Sequence, residues 1–514
     1  MGIGSRFYPN LYKDSVSLMT VSARVTSIPG IEAASVVMAS ATNVDNLAQA
    51  GLGHFEVRPN DLIIAVSGSQ EACDEALAVA DKLLSASPGD GGEETTAAPI
   101  TSIQMAVAKD PALNLALISV PGDYAAAEAM KALRLGLDVM VFSDNVNPDA
   151  ELALKEYARD NELMVMGPDC GTAIVNGIPL GFANVVRRGP IGVVGASGTG
   201  TQEVTVRIHQ NGSGVSHALG TGGHDLADAI GGISMLHGLA ALDSDPATAV
   251  IVLVSKPPSP AVAAKVLAAA QDSDKPVVVI FLGADPAAIT RDGVYGAATL
   301  AQAADMAVEL ARGQQPGTSD FTVSPEIGSA LTDLADAMSP RQRYVRGIFS
   351  GGTFCYEAQL IHQTHGITAH SNTPVAGNAA LHDIRVSREH TIVDMGDDEF
   401  TRGRPHPMID PSQRDCRVRD EIADPATAVV LFDVVLGYGS ADDPTAELTS
   451  IISSARGDGS TVAFIGHVCG TDLDPQDRAH AVAGLQSAGV LVASSNAEAA
   501  LWSATLLAAL GGNR

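Results

Sequence analysis

Residues 192–204 read GVVGASGTGTQEV, and residues 348–361 read IFSGGTFCYEAQLI. In both, an apolar run of strand character ends in a turn of small residues that opens into a helical pattern. Such a turn gathers backbone N–H groups without helical partners at the positive end of a helix dipole, where anions bind. In the first copy Ser197, Thr199 and Thr201 add hydroxyl donors, and Gly198 and Gly200 let the backbone approach a ligand closely. Gly351, Gly352 and Thr353 occupy the same places in the second. Glu203 falls in the first helical turn, where its charge suits the dipole. One such loop alone reads equally well as a helix cap; the repetition favours a phosphate site shared by the two. Neither copy matches GxxxxGK[ST], which excludes a Walker-type nucleotide loop.

The second constellation is DMGDDEFTRGRPHPMIDP, residues 394–411. Arg402 and Arg404 have the fork geometry for phosphate or a planar carboxylate. His406, between two prolines, is placed to donate to a developing oxyanion or to shuttle a proton. Asp394, Asp397, Asp398 and Asp410 are suited to positioning an amide nitrogen or holding Mg²⁺. The rival reading is a structural loop whose charges satisfy one another. Cys355 opens the second loop helix, where a thiol pKa falls, although packing explains it as well. His362 and His365, with His370 and His382 beyond, lack carboxylate or cysteine partners at metal spacing and read as core or solvated histidines.

The elements that position these groups follow from composition and periodicity. The chain has 514 residues, enough for three or four domains. It is 46% apolar but only 4% aromatic, which favours α/β layers around Val-rich parallel strands. Its net charge of −28 argues against a nucleic-acid partner. Five scattered cysteines form neither a disulfide framework nor a CxxC metal site. The first residues show no signal core, and no run reaches the ~20 apolar residues of a membrane helix, so a cytoplasmic location is expected.

Residues 1–86 alternate as a small α/β, ferredoxin-like module, and SASPGDGGEETTAAP (85–99) has linker composition. Residues 98–187 show βαβ grammar, as do 188–312 and 338–514, with a second linker at 311–328. DPATAV occurs at 245–250 and again at 424–429, each time ahead of an apolar strand. Together with GTGTQE and GTFCYE, it marks the last two units as copies of one fold.

The run GPDCGTAIVNG (167–177), GPIGVVGASGTGTQEV, GTGGHD (220–225) and DPATAVIVLV resembles, in that order, the α subunit of succinyl-CoA synthetase. The third unit resembles the C-terminal domain of that enzyme's β subunit. The resemblance implies a Rossmann-like CoA-binding-type domain, two flavodoxin-like domains, and two helix N-termini gripping one phosphoryl group from opposite sides. It also brings Gly167, Asp169 and Cys170, and Gly222, Gly223 and His224 with Asp225, towards the substrate; Cys170 reads alternatively as a buried small residue. GHVCGTDLDPQ (466–476) resembles a strand-end loop bordering the site.

A nearer resemblance, carried by HTIVDMGDDEFTRGRPHPMIDPSQR (390–414), is to the FdrA family, in which both pieces share one chain. That implies kinship with acyl-CoA synthetases and, for some members, a subunit role in an oxamate carbamoyltransferase. Three features depart from succinyl-CoA synthetase. ADPAAITRDGVYGAATL holds no phosphohistidine, no ATP-grasp domain joins units two and three, and no glycine-rich loop precedes LNLALISV. The expectation is therefore a subunit handling acyl or carbamoyl phosphate, oligomeric and working with other chains. The alternatives are a CoA ligase that borrows its nucleotide chemistry, using coenzyme A, and a non-catalytic anion-sensing scaffold.

Overall fold

The computed structural model describes residues 2–9, 11–13, 15–55, 57–58, 61–85, 100–317, 321–402 and 404–512. All but the first residue of the 85–99 linker, and 318–320 of the second linker, lie outside these. The chain forms two compact units, Met1–Asp169 with Phe400–Asp410, and Cys170–Glu399 with Pro411–Arg514.

In the first unit, strands Gly2–Tyr8, Ile31–Met38 and Leu62–Gly68 form an antiparallel sheet in the order first, third, second. Alternation sets its two cores. Leu62, Ile64 and Val66 face helices Ser15–Thr26 and Gln70–Ser85, while Ile63 and Ala65 pack with Leu47 and Leu52 on the other side. Helix Ala41–Gln49, which covers that side, was not legible as a helix; it starts at Ser40, whose hydroxyl accepts from Asn43 N. The strand order is that of the first three strands of a ferredoxin-like unit. Strands Leu115–Ile118, Asp138–Val141 and Val165–Met166 then form a parallel sheet in chain order. Helix Gly122–Arg134 buries Ala125, Ala129, Ala132 and Leu133, a stripe of helical period.

The second unit contains two seven-stranded sheets. In the first half, Arg188–Gly195, Val215–Gly220, Val250–Ser255, Val277–Phe281 and Val294–Gly296 are strands one to five, all parallel, in the order 2-1-3-4-5. Tyr344–Phe349, Thr391–Asp394, Thr427–Val435, Ala463–Cys469 and Val490–Ala493 repeat that order in the second half. This is the flavodoxin-like winding. An antiparallel hairpin, Thr172–Val175 and Ile178–Gly181, extends the first sheet beyond its strand two. Short strands His370–Ser371 and Ala379–Ala380 extend the second at the same edge.

The repeated hexapeptide makes one turn twice. Asp245 Oδ1 accepts from Ala247 N at 3.0 Å, and Asp424 Oδ1 accepts from Ala426 N at 2.9 Å. Each turn feeds strand three, whose residues are buried throughout because helices cover both faces of the sheet. Among the described residues no helix is long and apolar enough to cross a membrane.

Candidate functional site

In a sheet wound 2-1-3-4-5, the polarity of connections reverses beside strand one, and the crevice opens at the carboxyl ends of the strands. Both glycine-rich loops follow strand one of their halves. Helix Gly198–Gln210 starts at Ser197, whose Oγ accepts from Gly200 N at 3.1 Å. Helix Gly352–Thr364 starts at Gly351. The two starts meet: Ser197 Oγ hydrogen-bonds Thr353 Oγ1, and Thr353 N donates to Thr199 Oγ1 at 3.4 Å. A Cβ on Gly200 would stand 2.7 Å from Ser197 Oγ and 3.2 Å from Thr353 Cγ2, so this approach needs a glycine. Among the described residues, the N–H groups of Gly198, Thr199 and Gly352 have no acceptor in the chain. With Phe354 N, which also has no acceptor, these are the helix-start donors left for an anion. Thr201, in contrast, is buried and donates its hydroxyl to Ser197 O at 2.7 Å, which locks the loop instead of facing a ligand.

The second loop carries acid that its own residues do not reveal. Asp433, from strand three, accepts from Ser350 N at 2.6 Å and Gly351 N at 2.8 Å. The chain's own carboxylate thus takes donors that a bound anion would otherwise use. Asp394, at the end of strand two, is 7% exposed. Its Oδ1 accepts from Gly396 N at 2.9 Å, and its Oδ2 lies 2.4 Å from where a Cβ on Gly352 would stand. Asn372 bonds both the N–H and the carbonyl of Asp394, each at 2.9 Å, and holds the strand end in place. Burial pushes the Asp394 carboxyl up to about 7, against Lys256 and the Gly396 N–H and with help from Asp397 and Asp433. Burial also raises Asp433, against the two N–H groups that it accepts from.

Glu203 is the sixth residue of helix Gly198–Gln210, past the first turn expected for it, and its side chain crosses into the other half. It accepts from His467 Nε2 at 2.7 Å and Asn496 N at 3.3 Å. Its counterpart Glu357 makes the mirrored crossing, accepting from Leu300 N at 2.9 Å and Asn496 Nδ2 at 2.8 Å. Leu300 and Asn496 open the last helices of the two halves, so each loop helix caps the opposite half. The hexapeptides and strand registers place Ile280 and Leu282 where the second half has His467 and Cys469. That asymmetry separates the two glutamates. Burial would raise Glu203, but the adjacent His467 brings it below the ordinary value, whereas burial pushes Glu357 up to about 7. Glu203, His467 and Cys469 are also the one trio of possible ligands at metal distance among the described residues. The glutamate and the histidine in it are already bonded to each other.

The remaining sequence candidates separate by role. Gly222, Gly223 and His224 follow strand two of the first half, held beside strand one by Thr221 N donating to Gly195 O at 2.8 Å. His224 is exposed, whereas Asp225 is buried and caps a helix through Ser234 N and Met235 N. Cys170 is a packing residue: it is buried, and its sulfur would stand 2.5 Å from a Cβ on Gly220. Cys355 is likewise buried, and burial raises its thiol, reversing the low pKa expected from the helix start. His362 is a core histidine between Ala358 O and Ser503 Oγ, each at 2.7 Å. Asp397, half-buried, shares the second unit with Asp394, and its Oδ1 accepts from Glu399 N at 3.0 Å.

Gly167 and Asp169 belong to the first unit, where Asp169 N donates to Ser143 O at 3.0 Å. Arg402, Arg404, His406 and Asp410 belong to it too. Both arginines are exposed. His406 is half-buried, its Nδ1 accepts from Met408 N at 3.2 Å, and desolvation brings its pKa down to about 4, so it is neutral at physiological pH. Asp410 N donates to His406 O at 3.0 Å. Sequence reasoning missed Asp433, Asn372 and Lys256, and it read the stretch holding His467 as a strand-end loop, whereas residues 466–469 lie within strand Ala463–Cys469. For Asp433 and His467 a signal existed, a lone polar side chain inside an otherwise apolar strand.

Comparison with known proteins adds three family matches: a CoA-ligase domain over residues 348–506, a CoA binding domain over 186–283, and the "AllF, heavy metal-associated domain" over 1–99. The CoA-binding match falls on the first half of the second unit. The chain is 43% identical over 502 residues to the uncharacterized protein YahF of Escherichia coli (strain K12), covering 96% of each. It is 26% identical to the malate–CoA ligase subunit alpha of Methylorubrum extorquens, over 49% of this chain and 86% of that one. The succinate–CoA ligase [ADP-forming] subunit alpha of Aquifex aeolicus is 28% identical over 33% of this chain and 56% of its own length. Among solved structures, ATP citrate lyase from Methanothrix soehngenii in complex with citrate and coenzyme A matches over 45% of each chain, at 19% identity and a TM-score of 0.35.

The residues of the N-terminal module do not fit the metal that its family description suggests. Residues 1–99 hold one cysteine, Cys73, which is buried in the module core with its thiol 3.7 Å from Gly2 O. Among the described residues, no three ligating side chains of that module come together.

Proposed function

Because the chain belongs to the same family as Escherichia coli YahF, an acyl-CoA-synthetase-like family with CoA-binding and CoA-ligase domains, we propose that it is an enzyme subunit whose two opposed helix ends hold the phosphoryl group of an acyl or carbamoyl phosphate. The observation that carries this reading is the meeting of the two loops at Ser197 and Thr353, with Gly198, Thr199 and Gly352 N–H left uncommitted. Such donors need no reorganisation to stabilise charge developing on a tetrahedral intermediate. The CoA-binding and CoA-ligase matches support coenzyme A as a ligand, and the α-subunit relatives support partner chains.

The finer reading is an FdrA-type subunit of an oxamate carbamoyltransferase. It is favoured by Asp394 Oδ2, a buried carboxyl oxygen without a hydrogen bond beside the anion donors. Within the first unit, Arg402 and Arg404 have the fork geometry that a carboxylate such as that of oxamate takes. The amide nitrogen would attack the carbamoyl carbon, the C–O bond to phosphate would break, and phosphate would leave into the helix-end donors carrying the proton that the nitrogen gives up. Calorimetric titration of the full chain with coenzyme A, then with carbamoyl phosphate and oxamate, separates the readings. Micromolar coenzyme A binding supports the ligase form. Binding of carbamoyl phosphate without coenzyme A supports the transferase. An anion bound without turnover, with partner chains present, supports the scaffold.

A further inference from the structure

We propose that the anion enters this site together with a proton, carried on Asp394 Oδ2, so that the carboxyl donates to the bound anion instead of repelling it. The inference rests on the reading of the helix ends as an anion site.

The geometry leaves Asp394 no other role beside such a ligand. Its Oδ2 lies against Gly352, whose N–H is one of the uncommitted donors, so an anion held there comes close to this oxygen. The carboxyl cannot swing aside: Gly396 N holds Oδ1, and Asn372 holds the backbone on both sides. Asp433 cannot take the proton as readily, because both its oxygens accept from backbone N–H groups that favour its charge.

The charged and titratable groups acting on Asp394 are Asp397 from the following loop, Asp433 from strand three, Lys256 after strand three of the other half, and the thiol of Cys355 on the loop helix. Counting Asp394 itself, three acids face Lys256, which is exposed and 5.6 Å from the Tyr356 ring, and Arg414, which acts on Asp433 but is paired with Asp415. A dianion added to this set meets strong like-charge repulsion from the buried carboxyls of Asp394 and Asp433 unless one of them is neutral. Asp394 is the group best placed to be neutral, being buried and already raised towards neutrality. A protonated carboxyl also offers the donor that an anion oxygen needs.

The test uses sulfate, which keeps its charge through the pH range, and calorimetry on the full chain between pH 5.5 and 8.5 in two buffers of different ionisation enthalpy. Above pH 7 the wild-type Kd should rise by about tenfold per pH unit, with proton uptake approaching one per sulfate bound. Asp394→Asn, isosteric and neutral, should bind sulfate with an affinity constant within about twofold over the same range. A flat wild-type profile, or an unchanged slope in Asp394→Asn, overturns the inference and leaves the anion site standing. Failure of both proteins to bind sulfate at any pH, with folding verified by Trp502 fluorescence, removes the anion site and the inference with it.

Discussion

Glu357 and Glu203 occupy equivalent positions, yet only one has a histidine partner, and this difference makes a quantitative prediction. Glu357 is 2% exposed and has Leu300 N and Asn496 Nδ2 as its donors. Burial pushes it from an ordinary 4.5 up to about 7, with Asn496 and Leu300 opposing, Glu203 adding to the rise and His467 opposing it. A carboxyl raised in the folded state contributes stability that is fully present below pH 4.5 and is lost as pH rises through 7. At 1.36 kcal/mol per unit, the whole change is about 3 kcal/mol, most of it falling between pH 5 and 8. Glu357→Gln has no such charge, so it should gain on the wild type by about that amount over this interval. The variant keeps a partner without rearrangement, because its amide oxygen can accept from Leu300 N or from Asn496 Nδ2 as Glu357 does. The assay is urea unfolding at pH 5 and pH 8 followed through Trp502, the chain's one tryptophan, buried on the helix that Asn496 opens. A difference between the two proteins that does not change with pH would refute the reasoning, because Glu357 would then titrate as an exposed glutamate.

Three further outcomes follow from the same geometry. His467→Ala leaves the buried Glu203 carboxylate without its 2.7 Å partner and should cost about 3–5 kcal/mol on the Trp502 unfolding curve, with Glu203→Gln restoring part of the loss in a double-mutant cycle. Gly352→Ala sets a methyl 2.4 Å from Asp394 Oδ2 and should weaken sulfate binding at least tenfold, whereas Gly198→Ala meets open space and should leave it within about threefold, both read by calorimetry. Arg402→Ala with Arg404→Ala, both exposed, should leave thermal stability within about 0.5 kcal/mol and sulfate affinity unchanged, while raising the KM for a carboxylated substrate in a turnover assay.

Much of the fold was legible because it is written locally. Runs such as VIVLV and VVVIF are apolar throughout, as strands buried on both faces must be, and the turns between them carry their own glycines and aspartates. The pairing of the two loops could be anticipated from the repetition of GTGTQE and GTFCYE. The acids around the second loop could not, because Asp433 and Asp394 reach Gly351 and Gly352 from strands about 80 and 40 residues further along the chain.

The amino-acid sequence by itself determined the strands, the helix starts and the duplicated halves, since periodicity, capping and turn chemistry act over a few residues. Tertiary structure alone decided what those helix starts face. Packing one half on the other brought Ser197 to Thr353, turned Glu203 away from its own dipole towards His467, and gave part of the second helix end to Asp433. Burial then changed what the side chains are: a carboxylate, a thiol and an imidazole that sequence reads by their ordinary pKa values become, once desolvated, a near-neutral acid at Asp394, an unreactive thiol at Cys355 and a neutral base at His406.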